Sequence, residues 1–224
     1  MISFIKVQNQ NKVINDISNQ IVGYLQKQQP ILWLLSGGSN LILETKIMQT
    51  IPDNLTHNLT ISLIDERFGK YDHPDSNWKQ IFDLNFSPKQ ARLIPILNQT
   101  HQDIEATCQI FTNQIKPLLE THYIISQIGI GQDGHIAGIL PNSPAIYSDQ
   151  LISHYQSNPF QRITFSLKSF SKFQQIYLVA LSQEKQNIIE KLSHSKLANY
   201  QQFPALYLHR LNHVYVYNKW IGEN

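Results

Sequence analysis

Five consecutive apolar residues, Ile31-Leu32-Trp33-Leu34-Leu35, run directly into Ser36-Gly37-Gly38-Ser39. An apolar run that short and that continuous fits a strand covered on both faces, since a half-buried strand would alternate apolar with polar positions. The pattern returns at Thr60–Ile64, Tyr123–Ile130, Arg162–Leu167 and Gln175–Leu181, and Met1–Val7 alternates like a further strand. Between these runs the spacing turns helical. Residues 12–28 set Ile14, Ile17, Ile21 and Leu25 on one stripe, and Pro30 ends it. Residues 76–84 form a second helical candidate. Residues 101–119 carry Ile104, Cys108, Phe111, Ile115 and Leu118 at helical spacing, and a helix at about 183–195 carries Ile188, Ile189 and Leu192.

Strands that alternate with helices demand crossover connections and therefore a mostly parallel sheet. The expected fold is α/β: an open, mostly parallel, doubly wound sheet with helices on both faces and short strands at the C-terminus. Ala205–Tyr217 supplies two strand-like runs broken around His209–Asn212, and residues 140–160 are expected as the longest irregular connection. No repeat or Pro/Gly/Ser-rich linker divides the chain, so residues 1–224 are expected to form one domain.

Eighteen Lys and Arg against 16 Asp and Glu leave a net charge of +2, which supplies no basic field for nucleic acid. Much of the polar surface is expected to come instead from 18 Asn and 24 Gln dispersed among apolar residues. The apolar runs fall far short of the ~18–20 residues of a membrane span. The N-terminus lacks the basic segment and long apolar core of a leader. Cys108, the one cysteine, has no partner for an internal disulfide. The expectation is a cytoplasmic protein that takes a small molecule, with no nucleic acid or membrane partner and no metal or other cofactor.

In such sheets ligands sit at the carboxyl ends of strands. Three ends carry concentrated chemistry. Ser36-Gly37-Gly38-Ser39 lies between a strand and a helix start near Asn40, where free N–H groups favour an anion such as phosphate. Asp65-Glu66-Arg67 adds two carboxylates and a guanidinium suited to phosphate or carboxylate. Gly129-Ile130-Gly131-Gln132-Asp133-Gly134-His135 places Asp133 where its carboxylate can orient or support the imidazole of His135, a group that works near neutral pH. The third cluster also spells G-x-G-x-x-G. Pro141, seven residues past Gly134, leaves no room for the sizeable helix a dinucleotide fingerprint must open. His209 and His213 have zinc spacing only if helical, and their surroundings alternate as strands. No G-x-S-x-G marks Ser36 or Ser39 as a nucleophile.

Taken together and in this order, the clusters resemble the 6-phosphogluconolactonase family, within the wider group of glucosamine-6-phosphate deaminases and isomerases. The strongest match is Gly129-Ile130-Gly131-Gln132-Asp133-Gly134-His135-Ile136-Ala137 followed by Pro141. Next is Asp65-Glu66-Arg67-Phe68 leading through Asp72-His73-Pro74-Asp75 to Ser76-Asn77. Weaker matches are Ser36–Ser39, Arg162 before a strand, Lys185 after Leu178–Leu181, and Pro204-Ala205. The chain departs from the family pattern at Asn40-Leu41, Gly69-Lys70 and Gly138-Ile139-Leu140, and has Asn218 where a carboxylate is common.

The resemblance implies hydrolysis of 6-phospho-D-glucono-1,5-lactone, with His135 as general base oriented by Asp133. Ser36, Gly37, Gly38, Ser39, Asp65, Glu66, Arg67, Gly131, Gly134, Arg162 and Lys185 are the expected substrate-binding residues. The alternatives are an amino-sugar phosphate deaminase or isomerase and a non-catalytic sugar-phosphate sensor. The first typically carries a glutamate five residues past the histidine, where this chain has Leu140. The second would come with a helix-turn-helix extension or basic face, which this sequence lacks.

Overall fold

Capping residues set where the chain turns helical. In the computed structural model, which describes residues 1–98, 103–195 and 199–222, Asn9 precedes the first helix and its Oδ1 accepts from the N–H of Asn11 at 2.9 Å. Ser76 caps a later helix through Lys79 N–H, and Asp103 caps another through Ala106 N–H. Each side-chain oxygen satisfies one of the donors a helix start leaves open.

The elements are β1 (Ile2–Lys6), α1 (Gln10–Gln26), β2 (Ile31–Leu35), α2 (Leu41–Thr50), β3 (Leu59–Leu63), β4 (Asp65–Arg67), α3 (Asn77–Asp83), β5 (Arg92–Ile94), α4 (Ile104–Ile115), α5 (Leu118–Thr121), β6 (Tyr123–Ile128), β7 (Ile152–Gln156), β8 (Gln161–Phe165), β9 (Gln175–Ala180), α6 (Gln186–His194) and β10 (Val214–Asn218).

Seven strands form one sheet in the order β1-β10-β9-β6-β2-β3-β5, and every neighbouring pair is parallel. The continuous apolar runs are its centre: every residue of β2, β3 and β9 is buried, as a strand with both faces covered requires. Removing side chains such as Trp33, Leu34 and Ile61 from water contributes about 1.5–3 kcal/mol each, which makes this layer the main source of cohesion. From β2 the chain winds outward through β3 and β5, then returns to lay β6 on the other side of β2. The gap between β2 and β6 is thus the point where the winding reverses, and the carboxyl ends of both strands open there.

The parallel α/β architecture agrees with the sequence expectation, and the differences are local. The run at 162–167 does not join the parallel sheet: β8 pairs antiparallel with β4 and β7 in a separate three-stranded sheet. Residues 140–160 are accordingly less irregular than expected, since they contain β7. Of the two C-terminal strand-like runs only the second is a strand. Pro204–Arg210 is a 3-10 helix, started by a proline whose fixed φ suits a first helical position. The helix expected at 101–119 is two, α4 and α5, divided at Lys116-Pro117, and its first two positions lie outside the described residues. Asn218, the departure near the C-terminus, closes a turn: its Oδ1 accepts from Trp220 and Ile221 N–H and its Nδ2 donates to Val216 and Ile221 carbonyls.

Candidate active site

At the point of reversal a cleft of ≈ 260 Å³ opens, floored by the ends of β2, β6 and β9 and walled by the small sheet. Ten of the thirteen expected site residues line it: Ser36, Gly37, Gly38, Ser39, Asp65, Arg67, Gly131, His135, Arg162 and Lys185. Segments spread over 150 residues of chain converge because parallel strands deliver their carboxyl ends to one edge.

The glycine cluster after β6 does not open a helix. It folds back on itself, with Gly134 N–H donating to Gly131 O at 3.0 Å and Gly131 N–H to His135 O at 2.9 Å. Gly134 takes φ +85° with its back against Phe203, so it shapes the turn and does not line the cleft. A Cβ on Gly131 would collide with the His135 ring and the Asp133 carboxylate, and only glycine lets them sit where they do. Within this turn His135 Nδ1 lies 2.6 Å from Asp133 Oδ1, which also accepts the His135 backbone N–H at 3.1 Å. That hydrogen bond and the imidazole charge hold the Asp133 carboxyl down at a pKa of about 2. An ionised partner on Nδ1 assigns the ring proton to that nitrogen and leaves Nε2 as an acceptor. Asp133 stands behind the ring and does not line the cleft.

Strand alternation separates the two carboxylates of Asp65-Glu66-Arg67. In β4, Asp65 and Arg67 point to the cleft, while Glu66 turns the other way, fully buried, onto the start of α3. There it accepts from the N–H groups of Arg67 (2.8 Å), Asn77 (2.7 Å) and Trp78 (3.1 Å) and from Ser76 Oγ (2.9 Å). Burial raises its pKa against the pull of these four donors. Glu66 therefore holds the wall of the site instead of facing a ligand. Replacing it with alanine would strand these donors in the interior, and we expect a loss of about 3 kcal/mol or more in urea unfolding, with Glu66→Gln milder. A loss under about 1 kcal/mol in Glu66→Ala would contradict this scaffold role.

Arg67 and Arg162 are directly opposite partners across the β4–β8 pair, so two guanidinium groups share one face at neighbouring positions. Like charges in that relation repel. Neither makes an ion pair among the described residues: Arg67 donates to the Asp75 carbonyl and stacks over Phe160, and Arg162 Nε donates to Ser157 Oγ at 3.0 Å. Asp65 feels both, and these charges with His135 oppose the rise in its pKa that burial causes. Lys185, beyond β9, completes the rim, 3.6 Å from Glu184.

Other lining residues had no chemical signal in the sequence. Asn77, at the start of α3, donates Nδ2 to the Asp65 carbonyl at 3.0 Å and lies against Gly37; its Oδ1 is buried without a partner among the described residues. Ala180, Leu181 and Ser182 bring in the end of β9. Asn77 belongs to a string that carried the resemblance, but nothing in its spacing marked it as a cleft residue. Among the described residues no three His, Cys, Asp or Glu side chains gather as a metal would need.

A histidine backed by a carboxylate shares this cleft, at the reversal point of a parallel sheet, with Arg67, Arg162 and Lys185, as in an α/β enzyme that takes a small molecule. The chain belongs to the glucosamine-6-phosphate isomerase/6-phosphogluconolactonase family, whose model matches residues 6–216. It is 28% identical over 174 residues to a 6-phosphogluconolactonase of Helicobacter pylori, covering 75% of this chain and 74% of that one. The fold is shared with a 6-phosphogluconolactonase from Shewanella baltica (TM-score 0.82, 19% identity, 97% of each chain). It is also shared with a monomeric glucosamine-6-phosphate deaminase (TM-score 0.75, 21% identity, 96% of each chain). Because both branches share it, the fold alone does not choose the reaction.

Proposed function

We propose that this protein hydrolyses 6-phospho-D-glucono-1,5-lactone to 6-phosphogluconate. The observation that carries the reading is the His135–Asp133 pair beside a cleft that also holds Arg67 and Arg162, two guanidinium groups in no ion pair among the described residues and suited to a phosphate. The names of the relatives support the same choice, and Leu140 stands where the deaminase branch typically carries a proton-exchanging glutamate.

A lactone carbonyl is already electrophilic, so catalysis needs a placed water, a base and donors for the oxyanion. His135 Nε2 takes a proton from water as its oxygen attacks C1, forming a tetrahedral intermediate. Backbone N–H groups of the glycine-rich turns are the donors for its oxyanion. On collapse the bond from C1 to the ring oxygen breaks, and the imidazolium returns its proton to that oxygen. Asp133 stays ionised and steadies the imidazolium. Arg67, Arg162, Lys185 and the Ser36–Ser39 loop hold the phosphate and so aim C1 at His135. Residues 1–224 act as one catalytic domain in the cytoplasm, a compartment that suits the lone Cys108. The domain works without a nucleic acid partner.

Two assays on the pure protein test the reaction: acid release from freshly generated lactone above the spontaneous rate, and ammonia release from glucosamine 6-phosphate. The first should be positive and the second negative; the reverse would overturn the reading. The pair also predicts the effect of removing its carboxylate. Asp133 stays ionised down to about pH 2, so it still bears its charge in acid-side assays. Asp133→Asn removes that charge from behind the ring and should lower kcat. An unchanged kcat in the folded variant would separate Asp133 from the base.

A further inference from the structure

Beneath the Ser36–Ser39 loop lies an acidic side chain that the reaction does not use. Glu44, in the first turn of α2, has no exposed surface. Its Oε1 accepts the Ser36 backbone N–H at 2.7 Å and the Ser36 hydroxyl at 3.2 Å, and its Oε2 has no partner among the described residues. No cation pairs with it among the described residues.

The charged group that bears on Glu44 is another carboxylate, Asp65 of β4. On the two helices packed against α2, Lys12 pairs with Asp16 of α1 and Lys79 with Asp83 of α3, so these charges are spent on one another. A buried carboxyl with one oxygen unsatisfied and no counter-charge is far cheaper neutral than ionised. Burial, with Asp65 adding to it, pushes the Glu44 pKa up to about 8.

We propose that Glu44 is a positioning residue for the anionic end of the substrate: it fixes Ser36 at the end of β2, so that the loop turns its remaining donors to the cleft, and it must be uncharged for the loop to take a phosphate. The geometry supplies the reason for each half. The carboxyl occupies the Ser36 N–H and hydroxyl proton, which settles the loop's path, and leaves anion binding to the residues after it. A negative charge in contact with the first residue of that loop, buried out of reach of bulk-solvent screening, would oppose a phosphate dianion. The inference deepens the proposed function and rests on its placement of the phosphate.

The test is calorimetric binding of 6-phosphogluconate, with gluconate as control, at about pH 7 and about pH 9.5, on the wild type, Glu44→Gln and Glu44→Leu. Wild-type affinity for 6-phosphogluconate should fall about tenfold at the higher pH, the factor that a one-unit change of the Glu44 pKa on binding corresponds to. Glu44→Gln keeps an acceptor for Ser36 and has no charge to gain. It should bind like the wild type near pH 7 and lose the alkaline decline. Glu44→Leu should bind 6-phosphogluconate weakly at both pH values, with KM for the lactone raised and kcat largely kept. The same decline in Glu44→Gln, or wild-type affinity in a folded Glu44→Leu, would overturn the inference. Absence of 6-phosphogluconate binding by the wild type near pH 7 would instead remove the phosphate site itself, and the inference with it.

Discussion

His135→Ala is expected to lower kcat/KM for 6-phosphogluconolactone by about 10²–10⁴-fold, the usual share of a general acid–base group. The fold should survive. The imidazole is partly exposed, its neighbours in the turn are held by backbone hydrogen bonds, and Asp133 is exposed enough to be solvated when its partner goes. No second base of suitable reach stands in the turn: Asp133 is ionised, but it lies behind the ring and is far too weak a base at a pKa of about 2. Asp133→Asn should cost less, since the proton carrier remains and only its support is lost. Circular dichroism and thermal melting establish the folded state, and the rate is read after subtraction of spontaneous hydrolysis. Wild-type turnover in folded His135→Ala would remove the histidine from the mechanism.

The second large effect is selectivity for the phosphate. Unphosphorylated glucono-1,5-lactone should have a kcat/KM about 10²-fold or more below that of the phosphorylated lactone, because charge-assisted bonds to the remote phosphate position the reacting carbon. Arg162→Ala and Lys185→Ala should each reduce kcat/KM for the phosphorylated lactone by about 10–100-fold, corresponding to roughly 1.5–3 kcal/mol for a hydrogen bond to a charged group. The same variants should leave the poor substrate almost unaffected. Arg162→Ala has a further consequence: it relieves the opposition of two guanidinium groups across β4 and β8, so the variant should not be less stable than the wild type by more than its bond to Ser157 Oγ. Equal efficiency on both lactones, or equal losses on both in the variants, would show that these cations do not bind the phosphate.

The sequence made the parallel layer legible because a strand buried on both faces leaves no polar position, and β2, β3 and β9 each announce themselves that way. Short or two-faced elements were hidden. β5 is three residues long, and β4 coincides with the charged string Asp65-Glu66-Arg67, which reads as a polar strand end. Its pairing with β8 depends on a partner almost a hundred residues away, and local pattern carries no information on that.

The site divides along the same line. Backbone-determined features such as the Gly131 and Gly134 turn and the adjacent His135 and Asp133 were visible as a string, since the residues that interact are close in sequence. Side-chain direction was not. Glu66 was expected beside Asp65 at the ligand, yet a period of two sends neighbours to opposite faces once the segment is a strand. Glu44 gave no sign at all, because a glutamate in the first turn of a helix reads as a favourable, solvated charge until its burial under Ser36 is seen.

The most direct test of the whole account follows freshly generated 6-phosphogluconolactone by NMR, with the wild-type protein, with His135→Ala and with no protein. The lactone signals are expected to give way to those of 6-phosphogluconate within the dead time in the first sample and to decay at the spontaneous rate in the other two. Decay at that same spontaneous rate with the folded wild-type protein would contradict it.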